Sequence, residues 1–266
     1  MSEIVFDHAV RELSTAHARC LAAAAKLAYA GPDAVRAQAA RWGFDDVRTF
    51  CVRHGDEFPL PDTQGFSAAC DRMVVVAFRG TEPDQLRDWL SDGEALLIPH
   101  ASGRGRVHQG FHLALDAVWP QVADAVAAPG RTVWFTGHSL GGALAVLAAA
   151  RLYFADPCRS ADGVCTFGQP RACDAALADA YDEALRGRTH RFVNNNDLVA
   201  RLPPDPFYRH VAEEKYIDAD GRLLPKPPSL LARLADELEG HLQRFPSLTD
   251  ALDDHGIDRY LASFGA

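Results

Sequence analysis

Long apolar runs are missing from this 266-residue chain. The richest stretch, residues 143–155, is interrupted by Arg151 and stays short of the ~18 residues that a membrane-spanning helix needs. Positive charge is in deficit. Lys and Arg number 27 against 36 Asp and Glu, a net charge of −9. That balance argues against nucleic acid as a partner and against an anionic membrane surface, because both recruit basic faces. The opening residues, MSEIVFDHAVREL, lack a basic start followed by an apolar core, so no secretory leader is legible and a cytoplasmic protein is expected. None of the six cysteines stands at a C-x-x-C spacing, which removes the usual zinc and dithiol motifs, and in a reducing compartment all six are expected as free thiols. Internal repeats and low-complexity tracts are absent. The pair Gly103-x-Gly105 is too isolated to cradle a phosphate and reads as a flexible loop. No cofactor and no metal are expected.

What remains is ordinary globular material, 48% hydrophobic and 24% charged. Residues 7–30, rich in Ala and Leu, predict a helix ended by Gly31-Pro32, and residues 32–41 a second one. Residues 49–53 and 66–69 read as short strands. The run MVVVAF at residues 73–78 is continuously apolar and β-branched, as in a strand buried on both faces. Helix and strand then alternate: helix 110–128, strand 132–136, helix 140–154, strand 164–167, helix 174–186, strand 191–193. Such alternation predicts a mostly parallel central sheet flanked by helices, in one α/β domain over residues 1–266 with an N-terminal helical segment at 7–41. Residues 203–228, rich in proline, predict irregular loops around a hairpin at 215–223. Leu230, Leu231, Leu234, Leu238 and Leu242 form a helical stripe that is expected to pack on the core.

The chemistry centres on Gly137-His138-Ser139-Leu140-Gly141-Gly142. The pattern G-x-S-x-G alone is common. Here a β-branched and aromatic strand, TVWFT, leads in and a helix-forming run, ALAVLAAARL, leads out. Strand, tight turn and helix are the parts of a nucleophile elbow, which lifts a serine above the sheet. Glycines at both flanks let strand and helix close on each other. The helix beginning at Leu140 would aim free N–H groups at a developing oxyanion. His138 lies within the turn and is read as structural.

A serine of this kind needs an acid and then a base further along the chain. Asp197 follows the strand at 191–193 through Asn194-Asn195-Asn196, at the strand end where such sheets place their sites. Asp205 is the fallback. Only His210, His241 and His255 come later than Asp197. His241 lies in the leucine-striped helix, and His210 in PPDPFYRHV could be a hydrogen-bonded structural residue. His255, in the polar turn Asp253-Asp254-His255-Gly256, is the expected base. The oxyanion donors are expected to be the N–H of Leu140 and a group of Arg79-Gly80-Thr81, with Thr81 offering both an N–H and a hydroxyl.

At this point the segments DTQGF, VVVAFRGT, RDWLSD, VHQGF, VWFTGHSLGGALA, TFGQPR, FVNNNDLVARLPP and YRHV resemble the class 3, or fungal-lipase-like, lipases, and especially their bacterial members. The resemblance runs from about Asp62 to the C-terminus. It implies the α/β-hydrolase fold, the triad Ser139, Asp197 and His255, and Thr81 and Leu140 as oxyanion donors. It further implies that Asp92 orients the Thr81 hydroxyl, and that the substrate is a lipid or other small ester met through transient contact with a lipid interface. Phospholipase A1 and feruloyl-type esterase activities fall within the same resemblance. A catalytically silent interaction protein would be expected to have broken one of these positions, and here all are intact. The family's lid corresponds to residues 82–88, Glu-Pro-Asp-Gln-Leu-Arg-Asp, where Leu86 is the one large apolar side chain. One leucine is worth only ~2 kcal/mol on transfer to an interface, and the four charged neighbours oppose that transfer. Plotted across the solubility limit of a medium-chain ester, the initial rate is therefore expected to be substantial below the limit and to jump little above it. A rate near zero below saturation would contradict this reading of the lid.

Overall fold

The computed structural model describes residues 3–55, 62–81, 96–195, 197–226, 228 and 254–265. Ser14 starts the first helix: its hydroxyl accepts the His17 N–H at 3.1 Å, and α1 runs Thr15–Leu27. The helix expected from residue 7 thus begins eight residues later. Residues 7–13 stay outside it because Ser14, as N-cap, takes the extended conformation that a helix interior forbids. Gly31 and Pro32 then open α2 (Pro32–Arg41), where proline costs nothing because its missing N–H would have had no helical partner.

Strands β1 (Asp46–Arg53), β2 (Asp62–Ala69) and β3 (Met73–Phe78) form an antiparallel meander. The first two are longer than their apolar patterns suggest, since pairing continues from Asp46↔Ala69 to Arg53↔Asp62 through polar residues. From β3 onward the sheet is parallel. It adds β6 (Thr132–His138), β7 (Gly163–Phe167), β8 (Thr189–Asn194) and β9 (Glu214–Ile217), in the order β1-β2-β3-β6-β7-β8-β9. A separate hairpin, β4 (Leu97–Pro99) with β5 (Arg106–His108), leads into α3 (Gln109–Ala125). The remaining crossings are α4 (Leu140–Ala155), α5 (Ala175–Ala184, capped by Asp174) and the C-terminal α6 (Ile257–Ser263). This is the α/β-hydrolase architecture, a mostly parallel sheet between helices.

The short hairpin expected at residues 215–223 forms: Ile217 and Leu223 pair antiparallel, the Asp218 N–H donates to the Arg222 carbonyl at 3.0 Å and the Leu224 N–H to the Tyr216 carbonyl at 2.9 Å. Unannounced was that its first arm, β9, also pairs in parallel with β8. Parallel pairing joins segments far apart in sequence, so no local pattern announces it. The leucine stripe with His241, the segment 82–88 and Asp92 lie outside the described residues.

Alternate residues of the central strands feed two cores. Val74, Val76, Phe78, Val133, Phe135 and Val164 pack under α3, α4 and α5. Met73, Val75, Ala77, Trp134, Cys165 and Phe167 pack under α1 and α6. Helix α4 is buried around nearly its whole circumference, which explains why its sequence shows apolar residues without an amphipathic period.

Two of the buried histidines, His17 and His108, lie in this framework away from Ser139. His17 on α1 stands edge-on to Trp134 with ring centroids 4.4 Å apart, and among the described residues neither of its ring nitrogens has a partner. His108 caps α3: its Nδ1 accepts the N–H groups of Gly110 at 3.1 Å and Phe111 at 3.4 Å, which only a neutral ring can do. Burial lowers both from an ordinary 6.5 to about 4. In the unfolded chain they take protons near 6.5, so between that value and about 4 the unfolded state holds more protons and acid favours it. Their contribution is full above 6.5 and is lost as pH falls toward 4. The Tm is expected to drop by several degrees over that interval, and His17→Phe is expected to flatten the drop. A Tm independent of pH in this window would exclude burial of these rings in the neutral form.

Candidate active site

Ser139 joins β6 to α4 with φ 59° and ψ −130°, a conformation that costs a non-glycine residue about 1–3 kcal/mol. The closeness of strand and helix imposes it. A Cβ on Gly137 would stand 2.2 Å from the Gly141 carbonyl, and one on Gly141 would stand 2.2 Å from the Phe78 carbonyl oxygen. The Ser139 N–H donates to the Phe167 carbonyl at 2.9 Å, tying the turn to the end of β7. Helix α4 starts at Leu140 with no side-chain cap, so its first N–H groups and its positive end face the same space as the serine.

Asp197 lies just beyond β8 and is fully buried. Its Oδ1 accepts the N–H groups of Val199 at 2.9 Å and Ala200 at 3.3 Å from the short 3-10 turn Val199–Arg201. His255 Nδ1 lies 2.9 Å from both carboxylate oxygens, and the Tyr260 hydroxyl donates to Oδ2 at 2.6 Å. Burial pushes the Asp197 carboxyl up. Attraction and hydrogen bonding from His255, with the Tyr260 bond, outweigh burial, so the acid is held below its ordinary value and stays charged.

With Nδ1 committed to Asp197, His255 turns Nε2 the other way. Among the described residues this atom and Ser139 Oγ are both buried and unpartnered. The two ends of the site converge through Gly168, whose neighbour Phe167 holds the Ser139 N–H. A Cβ there would come 2.6 Å from Asp197 Oδ2 and 2.8 Å from His255 Cε1. The loop Arg79-Gly80-Thr81 closes the other side, since a Cβ on Gly80 would meet Ser139 Cβ at 3.0 Å.

The structure therefore gathers Ser139, Asp197, His255, Leu140 and the loop bearing Thr81, while Asp92 lies outside the described residues. Asp205, the fallback acid, is exposed and paired with Arg171 at 3.0 Å. His210 donates from Nε2 to the Ala200 carbonyl at 2.6 Å, bracing the turn whose N–H groups hold Asp197. The sequence alone does not single out Tyr260, which sits in the first turn of α6. It was visible only as part of a terminal helix. Among the described residues no group of three His, Cys, Asp or Glu could hold a metal ion.

The family model described as "Lipase (class 3)" matches residues 75–207. The chain belongs to the class 3 lipase family. It is 33% identical to the lipase of Rhizomucor miehei over 219 residues, 76% of this chain and 58% of that protein. It is 34% identical to secreted mono- and diacylglycerol lipase 1 of Fusarium solani over 160 residues, 55% of this chain and 44% of that one. This class 3 lipase domain thus spans about half the length of the curated relatives it matches. The crystal structure of the lipase from Rhizopus microsporus var. chinensis superposes with a TM-score of 0.60 at 28% identity, covering 77% of this chain and 76% of that one. Relatives that are secreted overturn the expectation of a cytoplasmic protein. That expectation rested on the first residues alone, and an export leader is an address outside the folded domain, which does not record the compartment.

The space at Gly168, where φ is +60°, is as tight as the site itself. Gly168→Ala is expected to cost about 1–3 kcal/mol, because it strains the backbone and displaces the Asp197–His255 pair. Urea unfolding measures it, and an unchanged midpoint would refute the packing described.

Proposed function

We propose that the chain is a serine carboxylic-ester hydrolase acting on lipid esters such as glycerides, with Ser139 as nucleophile, His255 as base and Asp197 as the acid that orients it. The observation that carries this reading is the buried Asp197–His255 pair, whose remaining imidazole nitrogen has no partner among the described residues, together with a strained, buried serine at the uncapped start of α4. Ser139 Oγ attacks the ester carbonyl while His255 Nε2 takes its proton. The oxyanion is received by the N–H of Leu140 and by Thr81. His255 returns the proton to the departing alcohol, and water then releases the acid by the same steps in reverse. Asp197 keeps the proton of the neutral ring on Nδ1 and stabilises the imidazolium when it forms. The Tyr260 hydroxyl and two backbone N–H groups leave this carboxylate no reason to take a proton itself. A mono- and diacylglycerol lipase among the relatives supports glycerides as the substrate class. Asp92 is proposed to orient the Thr81 hydroxyl, as the family resemblance implies.

The test is a series of p-nitrophenyl esters of rising chain length beside an emulsified glyceride. Ser139→Ala is expected to keep the fold and retain less than about a hundredth of the turnover. Asp197→Asn and His255→Ala are each expected to lose on the order of 10³–10⁴ in kcat, with little added in the double variant. A folded Ser139→Ala protein that turned over at near the normal rate would end the assignment.

A further inference from the structure

His138 was read from the sequence as part of the turn, and its surroundings assign it more. Its ring is buried against that of His255, with centroids 4.5 Å apart. His138 Nε2 lies 2.6 Å from the His255 carbonyl oxygen and Nδ1 lies 2.8 Å from the Tyr29 hydroxyl. A carbonyl only accepts, so Nε2 carries the proton and Nδ1 is a lone pair that takes the hydroxyl hydrogen. We infer that Tyr29 and His138 are positioning residues for the reaction, a hydroxyl–imidazole–carbonyl chain that holds the backbone of His255 in register with the Ser139 elbow. This rests on the reading of Ser139, Asp197 and His255 as the triad.

The other bonds around His255 tie it to the acid's strand. Asn194 Nδ2 donates to the Asp254 carbonyl at 2.9 Å, Asn195 Nδ2 to the Asp254 carboxylate at 3.1 Å, and His255 Nδ1 bonds Asp197. None of these bonds reaches β6. His138 adjoins Ser139 in the chain, so its bond to the His255 carbonyl fixes base against nucleophile. The bond needs one tautomer: with the proton on Nδ1, the Nε2 lone pair would face the carbonyl and repel it. The Tyr29 hydroxyl selects the right tautomer. Charge does not intervene, because burial first and then the neighbouring His255 push His138 down to about 3. Tyr29 also meets the oxyanion loop, where a Cβ on Gly80 would lie 2.3 Å from its hydroxyl. Tyr29 follows α1, outside the span matched by the family model. The N-terminal segment is thereby part of the site.

Three variants test this: Tyr29→Phe, His138→Leu, and His138→Gln, whose amide again offers an N–H beside an acceptor. The measurements are kcat and KM on a soluble ester, melting temperature, and the rate at which a p-nitrophenyl alkylphosphonate labels Ser139. Tyr29→Phe and His138→Leu are expected to lower kcat and labelling about tenfold, with KM within about twofold. Combining them is expected to add little, and His138→Gln to recover activity to within about threefold of the parent. A residue that merely fills space would change melting and leave kcat and labelling alone. Parent-like labelling in Tyr29→Phe and His138→Leu overturns the inference while the triad stands. Failure of the parent protein to be labelled at Ser139 overturns the triad reading, and this inference with it. If His138→Leu does not fold, Tyr29→Phe and His138→Gln still decide.

Discussion

The contact on which the site depends is the one between the backbone of β6 and that of α4 at Gly137 and Gly141. Hydrogen at the Gly137 α-carbon lets β6 turn into α4 within one residue, hydrogen at Gly141 lets α4 pass the end of β3 at Phe78, and Ser139 absorbs the strain of the turn. The cost of about 1–3 kcal/mol is held by the surroundings. Phe167 accepts the Ser139 N–H, and α4 behind it is buried on nearly all sides and cannot retreat. Strain and burial together pin the hydroxyl at the helix start, where the dipole favours negative charge.

A second constraint is electrostatic. Asp197 keeps its charge although it is buried from solvent, which burial alone would forbid. Two backbone N–H groups, the Tyr260 hydroxyl and His255 supply what water would have supplied. These donors come from three places: a 3-10 turn after β8, the turn before α6, and α6 itself. His210 braces the first of them through Ala200. The carboxylate therefore organises the C-terminal end of the chain as much as the C-terminal end organises it.

The two faces of the sheet divide the labour. Helices α3, α4 and α5 cover one face and supply the helix start behind the nucleophile. On the other face, α1 and α6 pack together against Trp134 and Phe167, and the segments around them carry Tyr29 and His255. The stretch that matches the family model holds Ser139 and Asp197, whereas His255 and Tyr29 lie beyond its two ends. Completing the site thus requires that the first and last helices dock on one face.

Ser139 was legible because a tight strand-to-helix turn demands small residues at fixed offsets, a local requirement written in G-x-S-x-G. Chain order and loop position singled out Asp197 and His255, which the fold brings together as the proposed acid and base, and Met73–Phe78 was legible through its unbroken apolar run. Other features were decided in three dimensions. The hairpin that contains β9 was expected, but its place in parallel beside β8 was not. Helix α1 begins where Ser14 can cap it, although the residues before it have similar propensity. Tyr260 and His138 read as a helix residue and a turn residue. They become partners of Asp197 and His255 only when segments 63 and 117 residues apart meet. The sequence by itself determined the strand–turn–helix around Ser139 and the parallel sheet, since each follows from short-range sterics or periodicity. Which donors surround the acid, and which residue ties base to nucleophile, was left to tertiary packing, because a hydrogen bond between distant segments leaves no local mark on either.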